Sequence, residues 1–208
     1  MTTAPRRAGA LFAALGTTFV LAACGADAGG AGGSAAPSGA PPTAVAEVSS
    51  EHAEADVAFA QGMLPHHRQA VEMSALAGGR AEDPEVVALA DEISAAQKPE
   101  IVTLTAMLEA WGAEEPAAGG GGHEGMAGME GGAAGMMTED DMSALEAAEG
   151  AEFDRLFLEL MVAHHEGAVE MAQTELDEGE NPEALGLAEQ VVDTQQAEIE
   201  RMRSLLGR

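Results

Sequence analysis

Apolar residues recur every three or four positions along two stretches of the chain, the spacing that places them on one face of an α-helix. In both stretches the apolar stripe includes a histidine. The two stripes consist of Phe59, Met63, His66, Ala70, Met73 and Ala77, and of Phe157, Met161, His164, Ala168 and Met171. The pattern predicts two long amphipathic helices that each bury one histidine.

Each of these histidines is followed directly by another. The segments read MLPHHRQAVEM and MVAHHEGAVEM, in a chain with only six histidines. One step along a helix is a rotation of about 100°, so His67 and His165 fall beside the apolar stripes. We therefore expect the first histidine of each pair to face the interior and the second to lie at the rim.

Turn signals predict where each helix ends and a partner helix begins. The first break reads GGRAEDPE, in which the two glycines are expected to end one helix, and Asp83 and Pro84 to begin the next. In the second break Asn181 and Pro182 play the same part. A further cap signal, TEDDM, starts at Thr138 and predicts a short lead-in helix.

The two helical regions are copies of one another. Residues 56–108 align with 154–206 without a gap, and 18 of the 53 aligned pairs are identical, including both histidine pairs. Such a repeat indicates duplication of a helical hairpin. The sequence therefore predicts an all-α four-helix bundle, with hairpins at 51–112 and 138–208 and a Gly/Met/His linker at 113–137.

The partner helices each carry a carboxylate on an otherwise apolar stripe, Glu100 in the first copy and Glu198 in the second. A carboxylate in such a place is costly unless it is paired or binds a metal. A hairpin that turns near residues 79–83 brings Glu100 close to the histidines. These carboxylates are expected either to bind a metal directly or to accept hydrogen bonds from His66 and His164.

Methionines add a second type of candidate ligand. One set flanks the histidine pairs and consists of Met63, Met73, Met161 and Met171. The linker contributes an accessory set, His123, Met126, Met129, Met136 and Met137. Thioether and imidazole together suit copper, especially Cu(I), while zinc or iron remain possible at the histidines. The alternative for the methionines is that they only fill the core or pack onto it.

The charge of the chain limits its partners. The formal net charge is −27, which argues against nucleic acid, because binding phosphates requires an excess of Lys and Arg. An acidic surface favours cations, or serves only to keep the protein soluble. The sequence does not indicate a protein partner.

The N-terminal segment has the features of an export signal. Two arginines precede an apolar run over residues 8–21, which ends in LAAC with the only cysteine, Cys24. This ending resembles the lipobox of bacterial lipoproteins. We therefore expect a signal peptide at 1–23, a lipid anchor on Cys24, a flexible tether at 24–50 and an extracytoplasmic location at the cell membrane.

The paired histidine segments and the run GMMTEDDMSAL…GAEFDRLFLELMVAHHEGAVEMA resemble the bacterial domain-of-unknown-function family 305. The resemblance covers about residues 50–207 and implies a ferritin-like helical fold, export and, for some members, copper binding. The positions that it carries over are His66, His67, His164, His165, Met63 and Met161. Pro65 departs from the family pattern, which has a small residue there.

Three classes of function compete on these observations. The leading hypothesis is a lipoprotein that binds or buffers copper through paired His and Met residues. A ferritin-like di-metal oxidase is an alternative, but its sites use Glu-x-x-His, whereas this chain offers only Gln97-x-x-Glu100 and its copy. The third is a metal-free structural or partner-binding bundle. The sequence indicates no catalytic residues, so an enzyme is not favoured.

Overall fold

The computed structural model describes residues 48–116 and 134–208, and these two parts are helical and contain no strand. Five helices follow in chain order: α1 Glu54–Arg80, α2 Pro84–Trp111, α3 Glu139–Ala147, α4 Gly150–Glu178 and α5 Pro182–Leu206. The all-α prediction is confirmed for this part of the chain. None of the helices found there is long and apolar enough to span a bilayer.

The predicted helix starts are confirmed by their caps. The side chains of Asp83 and Asn181 accept hydrogen bonds from the backbone in the first turns of α2 and α5. Thr138 forms a capping box at the start of α3. One predicted end is wrong, because α1 continues through Gly78 and Gly79 to Arg80. Neither glycine adopts the left-handed conformation with which glycine commonly ends a helix.

The long helices pack in a pattern that follows the duplication. Helix α1 packs against α2, α4 packs against α5, and α1 also packs against α4. Met63 and Met171 belong to one apolar cluster, whereas Met73 and Met161 belong to a second. Helices α1 and α4 therefore run in opposite directions past one another, with their histidine pairs at the middle level between the two clusters.

Two buried aspartates at equivalent positions tie each hairpin to the other. Asp56, at the start of α1, accepts hydrogen bonds from the backbone N–H groups of Glu180 (3.1 Å) and Asn181 (2.9 Å) in the α4–α5 turn. Asp154, at the start of α4, accepts two from the α1–α2 turn, at 3.1 and 2.8 Å. Although burial opposes it, the neighbouring Glu175 carboxyl and hydrogen bonds from the backbone hold the pKa of Asp56 below its usual value.

The second copy differs from the first by a buried carboxyl group beside Asp56. Glu175 is 1% exposed, and its equivalent in the first copy is Ala77. Burial, together with the neighbouring Asp56 carboxylate, raises the pKa of Glu175 to about 8. The folded protein therefore holds a proton on Glu175 at neutral pH that the unfolded chain releases. Its contribution to stability is complete below pH 4.5 and declines as the pH rises towards 8.

The Glu175→Gln variant is expected to be more stable than the wild type at pH 8 and about equally stable at pH 5. Glutamine keeps the shape of the protonated carboxyl but cannot ionise, so at pH 8 the gain should reach about 4 kcal/mol, at about 1.4 kcal/mol for each pH unit between 4.5 and 8. Urea unfolding at both pH values measures it. Glu178→Gln, an exposed change on the same helix, serves as the control. An equal gain from Glu175→Gln at both pH values would show that Glu175 is not protonated in the fold.

Several sequence predictions lie outside the described residues. They concern the signal peptide at 1–23, the lipid anchor at Cys24, almost all of the tether, and the linker residues His123, Met126 and Met129. They remain predictions.

Candidate metal centre

All four paired histidines have completely buried side chains. The prediction that His66 and His164 face the interior is confirmed. The prediction that His67 and His165 lie at the rim is wrong. The rotation between adjacent residues turns the second histidine of each pair towards the partner helix, α2 or α5, which covers it.

The two inner histidines are in direct contact between the hairpins. The ring centroids of His66 and His164 lie 3.7 Å apart, with an angle of 38° between the ring planes. Burial, reinforced by the neighbouring His67, lowers the pKa of His66 to about 3. Burial, and then repulsion from His66, lowers the pKa of His164 well below its usual value. Both imidazoles are therefore neutral at pH 7 and keep a lone pair available for a metal.

The two outer histidines are bound by the carboxylates of the partner helices. His67 Nε2 lies 2.6 Å from Glu100 Oε2, and His165 Nε2 lies 2.7 Å from Glu198 Oε2. We expected these carboxylates near the histidine pairs, and they lie there. The prediction that they accept hydrogen bonds from His66 and His164 is wrong, because they pair with His67 and His165 instead. Each carboxylate fixes the orientation of its ring.

These contacts determine which ring nitrogens are free. A carboxylate or carbonyl oxygen only accepts hydrogen bonds, so Nε2 of His67 and His165 carries the proton, as does Nε2 of His66, which donates to the Ala134 carbonyl oxygen at 3.1 Å. The Nδ1 atoms of these three histidines and both ring nitrogens of His164 are buried without a hydrogen-bond partner. Buried polar atoms are normally satisfied, so five partnerless nitrogens at one level of the fold suggest a ligand.

Glutamines also surround the histidines, and of these the sequence analysis named Gln97 and its copy but not Gln190. Gln190 of α5 donates from Nε2 to Glu100 Oε1 at 2.7 Å and so links the two hairpins. Gln97 and Gln195, three residues before the two glutamates, are buried and have amide atoms without partners. Glutamine occupies this position in both copies, and that repetition is a sequence signal for a role near the histidines. Gln190 has no such signal, because its equivalent in the first copy is Glu92.

The candidate thioethers lie above and below the histidines. Met63, Met73 and Met161 are completely buried, and Met171 is almost so. At the end of the linker Met136 and Met137 are partly buried, and Met137 packs against the core cluster that contains Met73 and Met161. Residues 48–116 and 134–208 contain no group of three or more His, Cys, Asp or Glu side chains already gathered as a metal cage.

A model of a protein family described as a domain of unknown function, DUF305, matches residues 56–206. The chain belongs to the DUF305 family. Solved DUF305 structures from two bacteria are similar to it. The Streptomyces coelicolor protein is 33% identical, with a TM-score of 0.64 and coverage of 74% of this chain and 92% of that one. For the Deinococcus radiodurans fragment the identity is 35%, the TM-score 0.65 and the coverage 75% and 97%.

CopM, solved in a Cu(II)-bound form, is a third structure that is similar to this DUF305 chain. It is 34% identical, with a TM-score of 0.61, and the match covers 73% of this chain and 95% of CopM. CopM has also been solved in Cu(I)-bound and silver-bound forms. No curated protein matches the chain.

Proposed function

We propose that this protein binds or buffers a soft transition metal, copper, through its paired histidines and methionines. The observation that carries the proposal is the contact between His66 and His164. These two imidazoles are completely buried, neutral at pH 7 and have ring nitrogens without partners. Neutral imidazole and thioether are ligands that suit Cu(I).

The residues divide into two roles in this proposal. His66 and His164 bind the ion with the flanking Met63, Met73, Met161 and Met171. His67 and His165 contribute their free Nδ1 atoms or support the inner pair, while Glu100 and Glu198 orient them through Nε2. The sequence indicates no catalytic residues, so we propose binding rather than catalysis.

The comparisons supply further support. Forms of CopM with Cu(I), Cu(II) and silver share this fold at 30–34% identity. Silver(I) has the charge and softness of Cu(I), and both match a site of thioethers and imidazoles.

The same proposal includes the setting of the site. The four long helices form a ferritin-like four-helix bundle of two hairpins, 51–112 and 138–208. The protein is exported, is anchored through lipid on Cys24, and the linker residues His123, Met126, Met129, Met136 and Met137 capture the ion before it enters the bundle. The Streptomyces coelicolor relative is described as a putative secreted protein, which agrees with the proposed export.

A competition titration of the full chain with Cu(I), Ag(I), Cu(II) and Zn(II) tests the function. Cu(I) and Ag(I) are expected to bind most tightly and to raise the free energy of unfolding, by about 2.7 kcal/mol at a free concentration 100 times the dissociation constant. Binding should persist to about pH 5, below the ordinary histidine pKa of 6.5, because burial lowers the pKa of His66 to about 3.

Two matched pairs of methionine variants identify the ligands in that titration. Met63→Leu with Met161→Leu changes methionines that flank the histidines, whereas Met107→Leu with Met202→Leu changes methionines that are equally buried on α2 and α5. Leucine conserves volume, so both pairs should fold. Only the first pair is expected to weaken Cu(I) binding. Preference for Zn(II), or no binding by any of the four ions, would contradict the proposed function.

A further inference from the structure

The last residues of the linker cross the histidine site as a short strap, Ala134–Met137, before α3 begins. At one end the Ala134 carbonyl oxygen accepts a hydrogen bond from His66 Nε2 at 3.1 Å. At the other end Gln69 of α1 holds the backbone of Met137 with two hydrogen bonds, Nε2 to the carbonyl oxygen (3.0 Å) and Met137 N–H to Oε1 (2.7 Å). The strap is thus bound to α1 on both sides of its midpoint.

Helix α4 accommodates the strap by a contact between two glycines. A Cβ atom at Gly167 would lie 2.2 Å from the Ala134 carbonyl oxygen and 2.7 Å from the Gly135 Cα. A Cβ atom at Gly135 would lie 2.7 Å from the Ala163 carbonyl oxygen, and Gly135 has a φ of +76°, which disfavours other residues. Backbone atoms cannot move aside as a flexible side chain can. The strap therefore reaches this position only because both residues lack a side chain.

The duplication shows that these contacts are specific to the strap. Gln69 and Gly167 occupy equivalent positions in the two copies, directly between the histidine pairs and the shared AVEM segment. One copy has a long amide side chain that grips the strap, and the other has no side chain and makes room for it. A glycine within a helix costs roughly 1 kcal/mol relative to alanine. The need to make room for the strap explains why α4 has a glycine at position 167 despite this cost, and why the two copies differ at this position.

We propose that the Ala134–Met137 strap positions His66 and gates the exchange of a soft metal ion at the His66–His164 pair, with Gln69 and Gly167 as its positioning residues. The Ala134 carbonyl oxygen of the strap accepts a hydrogen bond from the Nε2–H group of His66. Nδ1 is therefore the ring atom of His66 that keeps a free lone pair. It also closes the fold over two imidazoles that have no solvent exposure. The metal part of this proposal rests on the proposed function.

The test uses the full chain with Gly167→Ala, Gln69→Leu and the control Gly186→Ala. Gly186 lies in α5 with nothing near its Cβ position, so alanine there should leave the site unchanged. Histidine ¹⁵N NMR of the metal-free protein reports the tautomer of His66, and amide exchange reports protection of the Met137 N–H. Withdrawal of Ag(I) by excess chelator reports the rate of metal release.

Both Gly167→Ala and Gln69→Leu are expected to lose the Nε2–H preference of His66, to lose protection at Met137 and to release Ag(I) at least ten times faster. Gly186→Ala should match the wild type in all three measurements. Gln69→Leu decides the matter if Gly167→Ala does not fold. Wild-type rates and spectra in these variants would overturn the proposal.

The same measurements separate this inference from the function on which it rests. A wild-type protein that binds no Ag(I) would refute the proposed function and the gate, while the tautomer of His66 would still show whether the strap positions that ring. Wild-type Ag(I) binding with unchanged release rates in both variants would refute the gate alone.

Discussion

The double variant His66→Leu with His164→Leu is expected to bind Ag(I) and Cu(I) at least about 100-fold more weakly, since even residues that only support metal ligands are worth 10–100-fold. At the same time the metal-free variant should be more stable than the wild type in acid. Leucine removes two imidazoles that the fold keeps neutral and leaves a well-packed apolar layer between the two core clusters.

The sign of the acid effect follows from the lowered pKa values. An unfolded histidine gains a proton near pH 6.5, whereas folded His66 does so only near 3, so the wild type loses stability as the pH falls below 6.5. At pH 5 this amounts to about 2 kcal/mol for His66, at about 1.4 kcal/mol per pH unit. His164 acts in the same direction.

Chelator competition and urea unfolding at pH 7.5 and pH 5 measure the two effects. His52→Leu, which changes an exposed histidine, should leave both metal affinity and acid stability nearly unchanged. Unaltered metal affinity in the double variant would show that His66 and His164 do not bind the metal. A variant that is less stable than the wild type at pH 5 would show that the buried imidazoles are favourable in acid.

The second large effect is expected at the aspartates that join the hairpins. Asp154→Ala leaves two backbone N–H groups of the α1–α2 turn without an acceptor, and Asp56→Ala does the same for the α4–α5 turn. Hydrogen bonds to a charged group are worth about 1.5–3 kcal/mol each, so each variant should lose roughly 3 kcal/mol of stability. Urea unfolding of the metal-free protein provides the measurement.

Two comparisons make this result specific. Asp154→Asn keeps one acceptor oxygen and should lose about half as much as the alanine variant, whereas Asp91→Ala, at an exposed helical position, should change stability by less than about 0.5 kcal/mol. If Asp154→Ala lost less than 1 kcal/mol, the turn amides would be satisfied by water, and the link between the hairpins would be weak.

The helices could be predicted because their signals are local. The spacing of Phe59, Met63 and Met73 defines a buried face, and a cap such as Asp83 acts on amides only two residues away. The wrong end of α1 has the opposite cause. Gly78 and Gly79 are compatible with either outcome, and a glycine ends a helix only if it takes the left-handed conformation.

The strap was missed because its evidence is spread over distant positions. Gln69 and Met137 are 68 residues apart, and neither residue type is unusual where it stands. The only local signal was Gly167, a glycine inside a strongly helical segment that differs from its equivalent in the other copy. Such a glycine indicates a close approach of backbone but does not identify the segment that approaches.

The sequence by itself determined that this protein is helical, duplicated and supplied with paired imidazoles and thioethers at one level, because helical period and repetition can be read from residue types and spacing. Only the tertiary structure decided that His67 and His165 are buried, that they and not the inner histidines pair with Glu100 and Glu198, and that the inner pair is neutral. These properties depend on distances between helices and on the exclusion of water, and neither is specified by the spacing within a single helix.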